Sequence, residues 1–183
     1  MKICFQNIGI IIIHGLDGAI NNVNLLSQKL TLLGYKVEAP HLKGYKEDKT
    51  SLKRVTYIDW IKDIEKAYLT MKDHCQEIIM IGFSSGGLLS LQVASKYKVK
   101  GIIALDLSLS RIKYLFKRVY IKLLKATKKI LPLINCDVFI NQSKSVNYLS
   151  NNIPCKIKKQ LFFTESKIAD EEMIDLIKYI ESY

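Results

Sequence analysis

Histidine is scarce in this chain and unevenly placed: the three copies, His14, His41 and His74, all precede residue 75 of 183. Proline (three copies) and glycine (nine) are also few, which excludes a collagen-like or low-complexity chain. The four cysteines, Cys4, Cys75, Cys136 and Cys155, are scattered, without a CxxC pair or a Cys/His cluster. That spacing argues against a disulfide scaffold or a structural zinc site and fits reduced cytosolic thiols. No apolar run approaches the ~18 residues that span a bilayer. The opening MKICFQNIGIIII is interrupted by Gln6 and Asn7, has no small-residue cleavage site after it, and ends in His14-Gly15. It reads as a buried strand and not a secretory signal, so a cytoplasmic protein is expected. Arginine is also rare, three copies against 25 lysines, although it is the side chain that forks onto phosphates and base edges.

What the chain does have is apolar surface to bury. Hydrophobic residues make up 49% and charged residues 25%. At this length a full core is within reach, and residues 1–183 are expected to form a single domain. The net charge is +11, but eight basic residues and no acid fall in 111–135 (RIKYLFKRVYIKLLKATKKILPLIN), leaving +3 for the rest. The excess is local and no nucleic-acid fold signature accompanies it, so no nucleic-acid partner is expected.

Strand-like and helix-like stretches alternate. Residues 8–13 form a β-branched apolar run, as a strand covered on both faces requires. A helical pattern over 22–33 stops at Gly34, a C-cap signal. Residues 35–39 read as a short strand closed by Pro40, and 41–55 as polar loop. Thr56-x-x-Asp59 forms a capping box that opens a helix to about residue 71. Strands are predicted at 77–81, 100–107, 137–140 and 160–164, with helices at 88–95 and 171–182. This order predicts an α/β fold: a mostly parallel six-stranded sheet with helices on both faces.

The sharpest motif is Gly82-Phe83-Ser84-Ser85-Gly86, with Gly87 behind it, between a buried strand and a helix. This is GxSxG in the strand–turn–helix context that lifts a serine hydroxyl above a sheet, next to the N–H groups of a helix N-terminus. The flanking glycines leave room for the backbone to cross itself and for a positive φ nearby. A second motif, His14-Gly15-Leu16-Asp17-Gly18, follows the first strand. His14 there reads as a structural histidine that fixes the loop.

Together, HGLDG, EAPHLKGY, TYIDWIKDIEKAY and GFSSGG resemble the α/β-hydrolase fold, and within it the small bacterial carboxylesterases and monoacylglycerol lipases. The resemblance rests on these motifs over residues 8–107 and on element order alone over 136–183. It implies a serine hydrolase of short-to-medium acyl esters or lipid-like substrates, with no metal or organic cofactor. It also implies that Ser84 is the nucleophile and that the amides of Leu16 and Ser85 form the oxyanion hole.

The remaining triad positions depart from the family pattern. A Ser–His–acid mechanism needs an imidazole base and a carboxylate to orient it. The family places both after the serine, yet all three histidines here precede it. The acid position after 137–140 reads Asn141-Gln142-Ser143-Lys144-Ser145, and the histidine position reads Thr164-Glu165-Ser166-Lys167-Ile168. Asp106, ending the preceding strand, stands where some family members keep their acid. Lys167 or Lys144 could act as base with a lowered pKa, and His41 could swing towards Ser84. An impaired enzyme is therefore expected. The alternative is a non-catalytic descendant that binds acyl or lipid-like ligands, or a protein partner, in the same cleft.

The basic segment lies where the family inserts a lid, so a short helical cap is expected over about 108–135. At about 100° per residue its basic side chains over 111–129 gather on one half of a helix. Two uses follow: a cap with its apolar face over the acyl pocket, or peripheral contact of 111–131 with an anionic membrane.

Overall fold

The computed structural model describes residues 7–15, 20–45, 55–107, 117–140 and 157–159. Among the described residues six parallel strands form one sheet in the order β2-β1-β3-β4-β5-β6. They are β1 (Ile8–Ile13), β2 (Lys36–Glu38), β3 (Glu77–Phe83), β4 (Gly101–Leu105), β5 (Asp137–Ile140) and β6 (Ile157–Lys159). Four described helices lie between β1 and β5 in the chain: α1 (Ile20–Leu32), α2 (Tyr57–Lys72), α3 (Ser85–Ala94) and α4 (Lys117–Ile130).

The period-two alternation of the strands divides the core in two. Ile10, Ile12, Ile79, Ile81, Ile103 and Leu105 face the side of α1, where Val23, Leu26 and Leu30 meet them. Ile11, Ile13, Ile78, Met80, Ile102, Ala104 and Val138 face the other side, packed by α2, α3 and Leu123 of α4. Because both faces are covered there, the central strands β1, β3 and β4 carry long apolar runs. Ile10, Ile11, Ile12 and Ile13 are all fully buried.

Local signals fix several boundaries. The Thr56/Asp59 capping box is present: the Thr56 side chain accepts from the Asp59 N–H, and the Asp59 carboxylate accepts from the Thr56 N–H at 2.9 Å. Gly34, at φ 97°, closes α1, with its N–H bonded to Thr31 O and that of Tyr35 to Leu30 O. Strand β6 lies at Ile157–Lys159, and the strand expected at 160–164 and the helix expected at 171–182 lie outside the described residues. Helix α3 starts at Ser85, three residues early, because Gly86 and Gly87 are used for close packing and not for a turn. Of the basic segment, 111–116 lies outside the described residues, and α4 begins at Lys117.

The strand order places the site. The chain leaves β1 for β2 on one side and returns to β3 on the other, while α1 and α3 pass to opposite faces. The C-terminal ends of β1 and β3 therefore flank a topological switch point, the crevice where open α/β sheets bind ligands. His14-Gly15 ends one strand there and Ser84 ends the other. Among the described residues no helix is long and apolar enough to cross a membrane.

Candidate active site

Ser84 sits between β3 and α3 at φ 50°, ψ −114°. That is the backbone of the first central residue of a type II′ turn, a conformation normally left to glycine. The positive φ expected of a neighbouring glycine is thus carried by the serine itself. Its N–H donates to Leu105 O at 2.7 Å, and its carbonyl accepts from Gly87 N–H at 3.1 Å. These two bonds hold the turn between the end of β4 and the first turn of α3. The Ser84 side chain makes no capping hydrogen bond, which leaves the hydroxyl uncommitted to the helix.

The glycines allow the approach. A Cβ at Gly82 would collide with the Gly86 carbonyl carbon and the Gly87 nitrogen, and one at Gly86 with the Ile13 carbonyl oxygen. It would also stand 2.9 Å from His14 O. The start of α3 therefore lies directly against the end of β1. Ser85 is 1% exposed and is the first residue of α3. Its N–H precedes every helical carbonyl that could accept it, so it is a free donor by position.

The loop after β1 is braced from the side. His14 is buried, and its Nδ1 donates to Gly15 O at 2.9 Å. Its ring meets Tyr45 edge-on at 4.5 Å, and Tyr45 in turn tilts onto Trp60 of α2 at 5.9 Å. Trp60 Nε1 donates to Lys43 O at 2.9 Å, and the Lys43 N–H donates to Asp63 Oδ2 at 2.8 Å. The HLKGY segment is thereby tied to α2 and pressed against His14. This supports His14 as a structural residue. The bracing role of Tyr45 and Trp60 was missed in the sequence, although both lie inside quoted motifs.

The other candidates divide. Asp106 follows β4 at φ 50° and is exposed. Because the preceding residue, Leu105, accepts the Ser84 N–H, the backbones of Ser84 and Asp106 are neighbours. His41 is exposed in the loop after β2, with β1 intervening between its strand and β3. Leu16, Lys144 and Lys167 lie outside the described residues. Among the described residues no three His, Cys, Asp or Glu side chains gather as a metal site. A surface groove of about 420 Å³, lined by Tyr35, Lys36, Glu38, Met71 and His74, opens at β2 and contains none of the site residues. There burial pushes the Glu38 carboxyl above its usual range.

Helix α4 connects β4 to β5 and packs along α3 and α2. Leu123 and Thr127 point inward, and Gln92 Nε2 of α3 donates to Thr127 Oγ1 at 3.2 Å. The described part of the expected cap is thus a helix docked on the same core as α2 and α3.

Residues 10–117 match the family model described as alpha/beta hydrolase fold. The chain is similar to a thermostable monoacylglycerol lipase from Bacillus sp. (strain H-257), 31% identical over 100 residues, covering 54% of this chain and 40% of that protein. It is also similar to a carboxylesterase from Bacillus subtilis (strain 168), 30% identical over 95 residues, covering 51% and 39%. The matched stretch thus spans about two fifths of the length of each relative. Among solved structures, one of the metagenome-derived lipolytic enzymes LipS and LipT superposes with a TM-score of 0.85 at 17% identity, covering 98% of this chain and 96% of that one. The monoacylglycerol lipase of Paleococcus ferrophilus superposes at 0.73 with 13% identity, covering 95% and 94%.

Proposed function

The chain belongs to the α/β-hydrolase family, and from that premise we propose that it is a serine hydrolase of carboxylesterase or monoacylglycerol-lipase type with impaired proton transfer. The observation that carries this reading is Ser84 at φ 50°, ψ −114° on a glycine-flanked turn at the switch point of the sheet. Backbone strain of this kind clusters at active sites, where it forms part of the mechanism.

In this reading Ser84 Oγ attacks the carbonyl carbon of an acyl ester. The carbonyl oxygen gains the negative charge, and the Ser85 N–H receives it at the start of α3, with the Leu16 N–H as second donor. Collapse of the adduct expels the alcohol, which takes up a proton, and water then releases the acid from Ser84. The proton of Ser84 needs an acceptor. No histidine follows Ser84 in these 183 residues, and His41 is separated from it by β1. Asp106 beside the turn stands where a family site would draw its orienting acid. Loss of the base alone costs about 10⁶-fold in kcat in a serine protease, with roughly 10³–10⁴ over water remaining.

The test is hydrolysis of short p-nitrophenyl esters together with fluorophosphonate labelling. Turnover is expected to be very weak and labelling slow, at Ser84 alone. His41→Ala should leave both unchanged. Robust turnover, abolished by Ser84→Ala and by one His or Lys substitution, would overturn the impairment and identify the recruited base, Lys167 included. The missing base also favours a second reading, a non-catalytic descendant that binds acyl or lipid-like ligands, or a protein partner, in the cleft. Absence of any labelling, with turnover identical in Ser84→Ala, would select it.

A further inference from the structure

We propose that the outer face of α4 is a docking surface for an anionic phospholipid membrane. The face is defined by how α4 is anchored. Leu123, Thr127 and Leu131 follow one another at a spacing of four and are all buried, at 0%, 1% and 1% exposure. Thr127 adds a directional contact, because its hydroxyl accepts from Gln92 and donates to Leu123 O at 2.9 Å. A buried hydrogen bond of this kind fixes the rotation of the helix about its axis more sharply than apolar packing does. The inward ridge is therefore not free to slide.

With that ridge fixed, Lys122, Lys125 and Lys129 fall within an arc of roughly 60° about opposite to it, at ~100° per residue. All three are exposed, and none is in an ion pair among the described residues. The helix contains no acidic residue at all. This contrasts with α2, whose exposed lysines alternate with Asp59, Asp63 and Glu65. Two apolar side chains flank the lysines: Ile121 is 39% exposed, and Leu133, in the turn after the helix, is 63% exposed.

The chemistry selects the partner. A surface of negative charge complements an acid-free lysine arc, and phospholipid headgroups supply one with hydrocarbon a short distance below. Exposed Ile121 and Leu133 can enter that hydrocarbon boundary, whereas a nucleic-acid backbone offers them nothing. Lysine makes point-charge contacts that need no fixed geometry, as a fluid headgroup layer requires; base and phosphate recognition favours arginine forks.

The experiment is co-sedimentation of the full chain with vesicles of phosphatidylcholine alone and of equal parts phosphatidylcholine and phosphatidylserine. Binding is expected to the anionic vesicles only. It should disappear as salt shortens the screening length from ~10 Å at 0.1 M to ~3 Å at 1 M. Each lysine near such a surface contributes about five-fold in partition, so Lys122→Gln/Lys125→Gln/Lys129→Gln should weaken it roughly 100-fold. Lys36→Gln/Lys62→Gln/Lys98→Gln removes the same charge from exposed positions elsewhere and should change it no more than a few-fold. Circular dichroism confirms that each variant is folded; if the triple is not, the single substitutions, at about five-fold each, decide. Equal binding to neutral vesicles, equal loss in the two triples, or binding to poly-uridylate but not to anionic vesicles would each overturn the proposal. None of these outcomes depends on ester hydrolysis.

Discussion

Replacing Ser84 by glycine should stabilise the protein, and the comparison with alanine isolates the reason. At φ 50°, ψ −114° the serine Cβ is held in a region that non-glycine residues rarely occupy. Backbone strain of this kind costs of order 1–3 kcal/mol. Glycine relieves it but gives the unfolded chain extra freedom, which offsets about 0.4–1 kcal/mol. Alanine retains the Cβ and hence the strain. It also loses little else, because the serine side chain makes no capping hydrogen bond. Ser84→Gly should therefore exceed Ser84→Ala in stability by about 1 kcal/mol, which for a chain of this size is ~2–4 °C in Tm. Urea and thermal unfolding of the two variants and the parent measure it. If glycine is no more stable than alanine, the turn is not strained, and the argument that the fold holds Ser84 there for a purpose fails with it.

Thr127→Val keeps the shape of the side chain but leaves the buried Gln92 amide without its acceptor, a loss of about 1–3 kcal/mol that denaturant unfolding would detect. A loss under a few tenths would mean that the pair does not anchor α4. At the start of α2, hydrogen bonds from the Thr56 hydroxyl and N–H hold the Asp59 carboxyl below its usual range. A lowered acid pKa adds stability that is complete above the unfolded value of ~3.9 and is lost as pH falls through the folded value. The urea midpoint of the parent should therefore exceed that of Asp59→Asn by a constant amount above about pH 5, narrowing below about pH 4. A difference that does not narrow would assign the effect to something other than the carboxylate.

Much of this was legible because apolar pattern and cap chemistry act locally. The run 8–13, the capping box at Thr56, the stop at Gly34 and the strand 137–140 each declare themselves within a few residues. What failed had its cause elsewhere in space. Ile157–Lys159 (IKK) carries no strand pattern of its own, yet it pairs with β5 in the sheet. Gly86-Gly87 look like a turn by propensity, yet they are helical, and at Gly86 the Ile13 carbonyl leaves no room for a Cβ. The nearness of Asp106 to Ser84 rests on an amide donating to Leu105 O, a backbone contact with no side-chain signature. The GxSxG motif announced the turn but not that serine would carry the unfavourable φ.

The shortness of β2 bears on how the molecules behave towards one another. It is three residues long, so an incoming chain finds only a stub of ladder on that side. About three new backbone bonds, at ~0.5–1.5 kcal/mol net each, do not offset the ~4–15 kcal/mol of lost freedom on association. Behind β2, however, stands the uncharged IGIIII of β1, the kind of segment that stacks into fibrils once exposed. Peeling three residues of β2 from Gly9, Ile10 and Ile11 would uncover that edge without unfolding the core. Exposure of that edge thus needs only the opening of β2, at a free energy well below that of global unfolding.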